Sequence, residues 1–154
     1  MRAAPNLLHE VLLDHQLMVV LHSSTPPREA EWNAWLSATD ALWREVERFR
    51  LLVVSEGGHP NREQLTRLEQ LKRRHQRMGG RQRSEPITAI VSNSVAMRFA
   101  VASANLFNPR ARCFPPSALA GAYRHLGLSL VGTRAAEAVL GRLRSELHAD
   151  SEVA

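Results

Sequence analysis

The final third of the chain holds two compact strand-then-helix units, and no other feature constrains the fold as tightly. The run Pro86-Ile87-Thr88-Ala89-Ile90-Val91-Ser92-Asn93-Ser94 reads as a short apolar strand closed by a polar turn, and an apolar helix follows as far as Leu106. The next run, Ala111-Arg112-Cys113-Phe114-Pro115-Pro116-Ser117, leads into a helix over 118–126. Strand and helix alternating at this interval build a parallel sheet covered by helices. The expectation is an α/β fold.

A length of 154 residues supports one domain with a real core. It is read as 9–148, between short tails at 1–8 and 149–154. Hydrophobic residues at 44% and charged residues at 23% exclude a disordered chain. A single cysteine excludes an internal disulfide, and Cys113, in a strand, reads as a small buried thiol. No apolar run approaches the roughly 20 residues of a membrane span. The N-terminus lacks a signal-peptide core, because His9, Glu10, Asp14 and His15 interrupt it. The expected compartment is therefore the cytoplasm.

The net charge of +5 is unevenly placed. Residues 1–66 carry a net of −3, residues 67–83 a net of +6 and residues 84–154 a net of +2. The whole excess therefore comes from one short stretch. Of the 20 basic residues only Lys72 is a lysine, a bias that weakens any inference from the high pI alone.

Reading from the start, a short strand near 10–14, a tight turn at Asp14-His15 and a more buried strand over 17–22 open the domain. Pro26-Pro27 ends the ladder, and Thr25 or Pro26 opens a helix running to about Arg48. At 100° per residue Trp32, Trp35, Leu36, Thr39, Trp43 and Val46 share one face of it, which is read as packing on the sheet. The apolar run at 50–54 belongs in the middle of a parallel sheet. After Ser55-Glu56-Gly57-Gly58-His59-Pro60, Asn61 caps a helix over 62–78 with Leu65, Leu68, Leu71 and Met78 inward, and Gly79-Gly80 stops it. Strands follow near 87–91 and 111–114, and a last helix, 133–148, turns Ala136, Val139, Leu140, Leu143 and Leu147 inward. The expectation is five strands, mostly parallel after the opening pair, and about five helices.

The helix at 94–107 carries two apolar stripes. Val95, Phe99, Ala102 and Leu106 form one, and Met97, Val101 and Ala104 the other, about 160° away. A helix apolar on two faces is buried on both or meets a partner. Met97, Val101 and Ala104 are the interface candidates, for a protein partner or a second copy.

The order strand, strand, helix, strand, helix, strand, helix, strand, helix resembles the STAS domain, the fold of bacterial anti-sigma factor antagonists. It is most similar to the SpoIIAA-like (STAS/SEC14-like) branch. The residues that carry the likeness are Leu17-Met18-Val19-Val20-Leu21, Arg50-Leu51-Leu52-Val53-Val54, and the closing unit from Arg112-Cys113-Phe114 to Leu126. The resemblance implies a STAS-like scaffold and a regulatory, protein-docking role. One departure matters. The phosphorylated members open the helix after the third strand with Asp-Ser-Ser/Thr-Gly, whereas here Gly57-Gly58-His59-Pro60-Asn61-Arg62 stands there without a hydroxyl. The serine switch is therefore not expected.

In open α/β sheets the carboxyl ends of the strands line the ligand crevice. Those ends supply Ser23, Ser24, Ser55, His59, Asn61, Ser92, Asn93 and Ser94. Helix N-termini beside them could hold a small anion. A catalytic arrangement would make Ser55 or Ser94 the nucleophile, His59 its base and Glu56 the orienting group, but no spacing enforces it, and these residue types are also what helix caps require. No catalytic residue is assigned, and there is no nucleophile elbow or phosphate-binding loop. Seven histidines without i,i+4 pairing point to no metal, and nothing indicates a cofactor. Arg67, Arg73, Arg74 and Arg77 form a basic helix face, but no aromatic residue there could stack on bases, so nucleic acid is not expected. The functional expectation is a non-catalytic interaction or regulatory module. The alternative is a small-anion or lipid-ligand binder, or an enzyme, using the strand-end crevice.

Overall fold

The structure is a computed structural model, described over residues 3–78, 86–95 and 110–149. Strand β1 (Leu7–Leu12) turns through a 3-10 segment, Leu13–His15, into the antiparallel strand β2 (Leu17–His22). Helix α1 (Glu29–Glu45), strand β3 (Arg50–Ser55), helix α2 (Arg62–Met78), strand β4 (Ile87–Ser92) and strand β5 (Ala111–Phe114) follow. A 3-10 turn (Pro116–Ala118) leads to helix α3 (Leu119–His125) and helix α4 (Leu130–Leu147). The sheet has the order β1-β2-β3-β4-β5, parallel from β2 onward. This is the α/β architecture that the sequence pattern implied, with four α-helices among the described residues.

Each step from β2 to β4 moves the same way across the sheet, so right-handed crossovers place α1 and α2 on one face. Strand alternation then divides the core. Met18 and Val20 pack with Trp32, Trp35, Leu42, Trp43, Phe49 and Leu71. Leu17, Val19, Leu21, Leu52 and Val54 pack under Tyr123, Leu126, Val139, Leu140 and Leu143 from α3 and α4. All six residues of β2 are buried, which is why its sequence is apolar without alternation. The three tryptophans are core, as their stripe implied.

Several boundaries differ from the sequence reading, each for a local reason. β1 starts at Leu7, not near residue 10, because it pairs with the whole of β2, Leu7 opposite His22 and Leu12 opposite Leu17. Gln16 takes a left-handed φ of 49° to close that hairpin. α1 starts at Glu29, because Thr25 and Pro26, each followed by a proline, are steered away from helical geometry, and a Glu31 carboxylate oxygen accepts the Arg28 N–H at 2.9 Å. α1 ends at Glu45, since Val46 is already extended. α4 begins at Leu130 because Ser129 Oγ caps it, accepting the Gly132 N–H at 3.0 Å. Leu65 and Met78, expected inward on α2, are 46% and 76% exposed. The buried line of that helix is Gln64, Leu68, Leu71, His75; Leu65 is rotated off it and Met78 lies beyond its last member. Cys113 is half-buried, on the edge strand. Val95, on the first of the two apolar stripes, is 70% exposed, and Phe99, Ala102 and Leu106 of that stripe lie outside the described residues. Met97, Val101 and Ala104 lie outside the described residues.

Arg50 joins the β1–β2 turn to the end of α3 at the amino edge of the sheet. Its Nε donates to the Leu126 carbonyl at 2.7 Å and Nη1 to the His15 carbonyl at 2.9 Å, while its backbone N–H donates to Gln16 O at 2.7 Å. Arg50→Gln loses the fork that reaches both partners. It should destabilise the fold by about 1–3 kcal/mol, read as a lower urea midpoint with an unchanged m-value. An unchanged midpoint would show that the fork is not holding α3 to the hairpin.

Candidate functional site

The last residues of β2, β3 and β4 stand side by side: His22 opposite Ser55, and Ser55 opposite Ser92. All three are buried, and strand alternation points them to the α1–α2 side. The strand-end residues chosen from sequence are thus brought to one edge. The loops above them are packed together, since a Cβ added at Gly58 would meet the carbonyl oxygens of Ser23 and Thr25 at 2.5 Å. The Gly58 N–H donates to Ser23 O at 2.8 Å across the same contact. Only glycine lets the β3–α2 loop come this close to the β2–α1 loop.

What those residues do is local. Ser23 Oγ donates to the Thr25 carbonyl at 3.2 Å and accepts the Thr25 N–H at 3.1 Å. Ser55 Oγ donates to the Gly58 carbonyl at 2.6 Å and accepts the Gly57 N–H at 3.1 Å. Ser92 Oγ accepts the Ser94 N–H at 3.1 Å. His59 Nδ1 meets the carbonyl of Pro60 at 3.0 Å, where only a protonated Nδ1 can donate. Asn61 is the cap that its sequence position implied, its Oδ1 accepting the Gln64 N–H at 2.8 Å. Ser24 and Asn93 are exposed.

The catalytic arrangement is not assembled. Glu56 pairs with His148 Nε2 at 2.9 Å, at the end of α4, while Ser55 and His59 meet backbone carbonyls. Ligand crevices of open α/β sheets form where the strand order reverses, and the order of the five strands never reverses. Among the described residues no group of three His, Cys, Asp or Glu side chains could hold a metal ion, and no helix is long and apolar enough to cross a membrane.

The basic face divides in two. Arg67 is turned onto α1, donating to Glu29 Oε2 at 2.5 Å and to Asn33 Oδ1 at 2.6 Å. Arg73, Arg74 and Arg77 remain exposed on the outer side of α2. His75, read from sequence as a structural residue, is buried against Trp43 with Nε2 2.7 Å from Asp40 Oδ1.

Two residues that sequence reasoning passed over matter here. Gln64 is fully buried at the start of α2 and completes the cap, its Oε1 accepting the Asn61 N–H at 2.9 Å. The Asn-x-x-Gln spacing was the available signal. His22 is buried with Nδ1 lacking a hydrogen-bond partner. Burial pushes its pKa down to about 4, nearby His59 pushes the same way, and the Glu31 carboxylate opposes them. Nothing in sequence distinguishes it from six other histidines. Comparison with known proteins finds no matching family model, no matching curated protein and no matching solved structure.

A buried neutral histidine makes stability pH-dependent with a defined sign. Below its ordinary pKa of 6.5 the unfolded chain takes up a proton that folded His22 refuses until about pH 4. Its contribution is therefore complete above pH 6.5 and is lost as pH falls towards 4, on the order of 2 kcal/mol by pH 5. Half-buried His9, whose pKa is also lowered by burial, acts in the same direction. Urea unfolding at pH 7 and pH 5 should show the loss, and His22→Gln should remove most of it. An equal loss in both proteins would mean that His22 is hydrated in the folded state.

Proposed function

We propose that the chain is a non-catalytic interaction module on a STAS-like scaffold, without the serine phospho-switch. The observation that carries this reading is the engagement of Ser55. It is the hydroxyl nearest the place where phosphorylated STAS antagonists carry their switch, and its oxygen is held between the Gly57 N–H and the Gly58 carbonyl in a buried turn. A hydroxyl fixed in this way is neither presented to a kinase nor aimed as a nucleophile. The element order also supports the reading: an antiparallel opening pair, parallel strands added in sequence and a closing strand-helix unit. Such a module works by the shape and charge of its outer surface.

A second reading, a small-anion or lipid-ligand binder or an enzyme at the strand ends, is favoured by one observation, the unpartnered buried Nδ1 of His22. A thermal-shift screen of the full chain against nucleotides, inorganic phosphate and acyl lipids separates the two. The interaction module should show no shift with any of them. Stabilisation of about 2–3 kcal/mol at a hundredfold excess over the dissociation constant, abolished by His22→Gln, would establish the ligand reading instead.

A further inference from the structure

Two shallow, open grooves run along the solvent side of α2, with volumes of about 370 and 450 Å³. Arg62, Leu65, Thr66 and Glu69 line the first, and Arg74, Arg77 and Met78 the second. Gln70 and Arg73 line both, so the two grooves adjoin on the outer side of α2. Arg62, Thr66, Arg73 and Arg77 follow at i, i+4, i+11 and i+15, a single stripe about 22 Å long at 1.5 Å per residue. The two exposed apolar residues of the helix, Leu65 and Met78, sit towards opposite ends of this surface.

The charge on this surface is unspent. Arg67 is committed to Glu29 and Lys72 to Glu69, whereas Arg62, Arg73, Arg74 and Arg77 form no ion pair with any described residue. Arg62, Arg73 and Arg77 on one stripe, flanked by Arg74 on one side and Leu65 on the other, present a long cationic surface. Arginine holds carboxylates in a planar fork.

We propose that this surface docks an acidic amphipathic helix of a partner protein, its carboxylates against Arg62, Arg73 and Arg77 and an apolar residue over Leu65. The proposal rests on the interaction-module reading and supplies its docking face and the chemistry of its partner. The surface suits carboxylates better than nucleic acid. The stripe Arg62, Arg73 and Arg77 lies on a helix with no aromatic side chain on which a base could stack.

The test measures binding of a fluorescein-labelled synthetic peptide, a Glu-rich amphipathic helix about four turns long with a leucine near one end, to the protein. A single-stranded RNA of equal charge is the competing probe. The stripe variant is Arg62→Gln/Arg73→Gln/Arg77→Gln. The charge-matched control is Arg124→Gln/Arg134→Gln/Arg144→Gln, three exposed arginines on the α3–α4 side. All six positions are solvent-facing, and an unchanged Tm verifies the fold of each variant. The peptide should bind in a salt-sensitive manner, about tenfold more weakly to the stripe variant and within twofold of wild type to the control. Equal weakening in both variants, no weakening in the stripe variant, tighter binding of the RNA, or occupation of α2 by a second copy in sedimentation would each overturn the proposal. Those outcomes leave the interaction-module reading standing. That reading falls instead if phosphate or an acyl lipid stabilises the protein through His22.

Discussion

The side chain and backbone of Gln64 hold the α1–α2 layer together. It is fully buried, and a buried amide costs several kcal/mol unless its hydrogen bonds are made. Here Oε1 accepts from the Asn61 N–H, and Nε2 donates to the Pro27 carbonyl at 3.0 Å and to Glu29 Oε1 at 3.3 Å. Its backbone carbonyl accepts the indole N–H of Trp32 at 3.0 Å. One residue thus caps its own helix and ties it to the first turn of α1. The pairing continues down both helices through Arg67 with Glu29 and Asn33, and His75 with Asp40. Helices locked along their shared side have only their outer sides left for a partner.

That constraint explains why the polar residues of the strand ends serve the fold. Right-handed crossovers put α1 and α2 on the same face, so the loops over β2, β3 and β4 converge. Gly58 allows them to touch, and the hydroxyls beneath them become turn-closing groups. Glu31 adds a clamp from the other side, accepting the backbone N–H groups of Asn6 and Leu7 at 2.8 and 3.3 Å and so fixing the start of β1 to α1. At the carboxyl edge Ser23, Ser55 and Ser92 are held in turn hydrogen bonds, and on the exterior of α2 Arg62, Arg73, Arg74 and Arg77 form no ion pair with any described residue.

The five strands, their mostly parallel pairing and the inward tryptophans were legible in sequence, because unbroken apolar runs such as 17–21 belong to central parallel strands and the tryptophans repeat at helical spacing. The strand-end cluster was legible as a location, since Ser55 and Ser92 are the polar stops of apolar strands. Its chemistry was not: whether a serine faces a ligand or its own turn depends on a few ångströms of loop path. Caps were half legible. Asn61 stood out, whereas Gln64 was hidden by its resemblance to an ordinary polar helix residue, and Ser129 by the apolar residues after it. Leu65 and Met78 misled because apolar character on a helix is taken as inward, while the true buried line includes a glutamine and a histidine. His22 was invisible, since burial of one histidine among seven is decided by the helices that cover it.

The most direct measurement of whether α1 and α2 form one locked layer is native-state hydrogen exchange at the indole N–H of Trp32, followed by NMR. With Gln64 holding that proton, exchange should require global unfolding, with the same free energy and denaturant dependence as the amides of Val19 and Leu52 in the central strands. Gln64→Ala should lower the opening energy of the indole more than that of the strand amides. Exchange of the Trp32 indole by a low-energy, denaturant-independent opening in the wild type would contradict the account, because α2 would then move independently of α1.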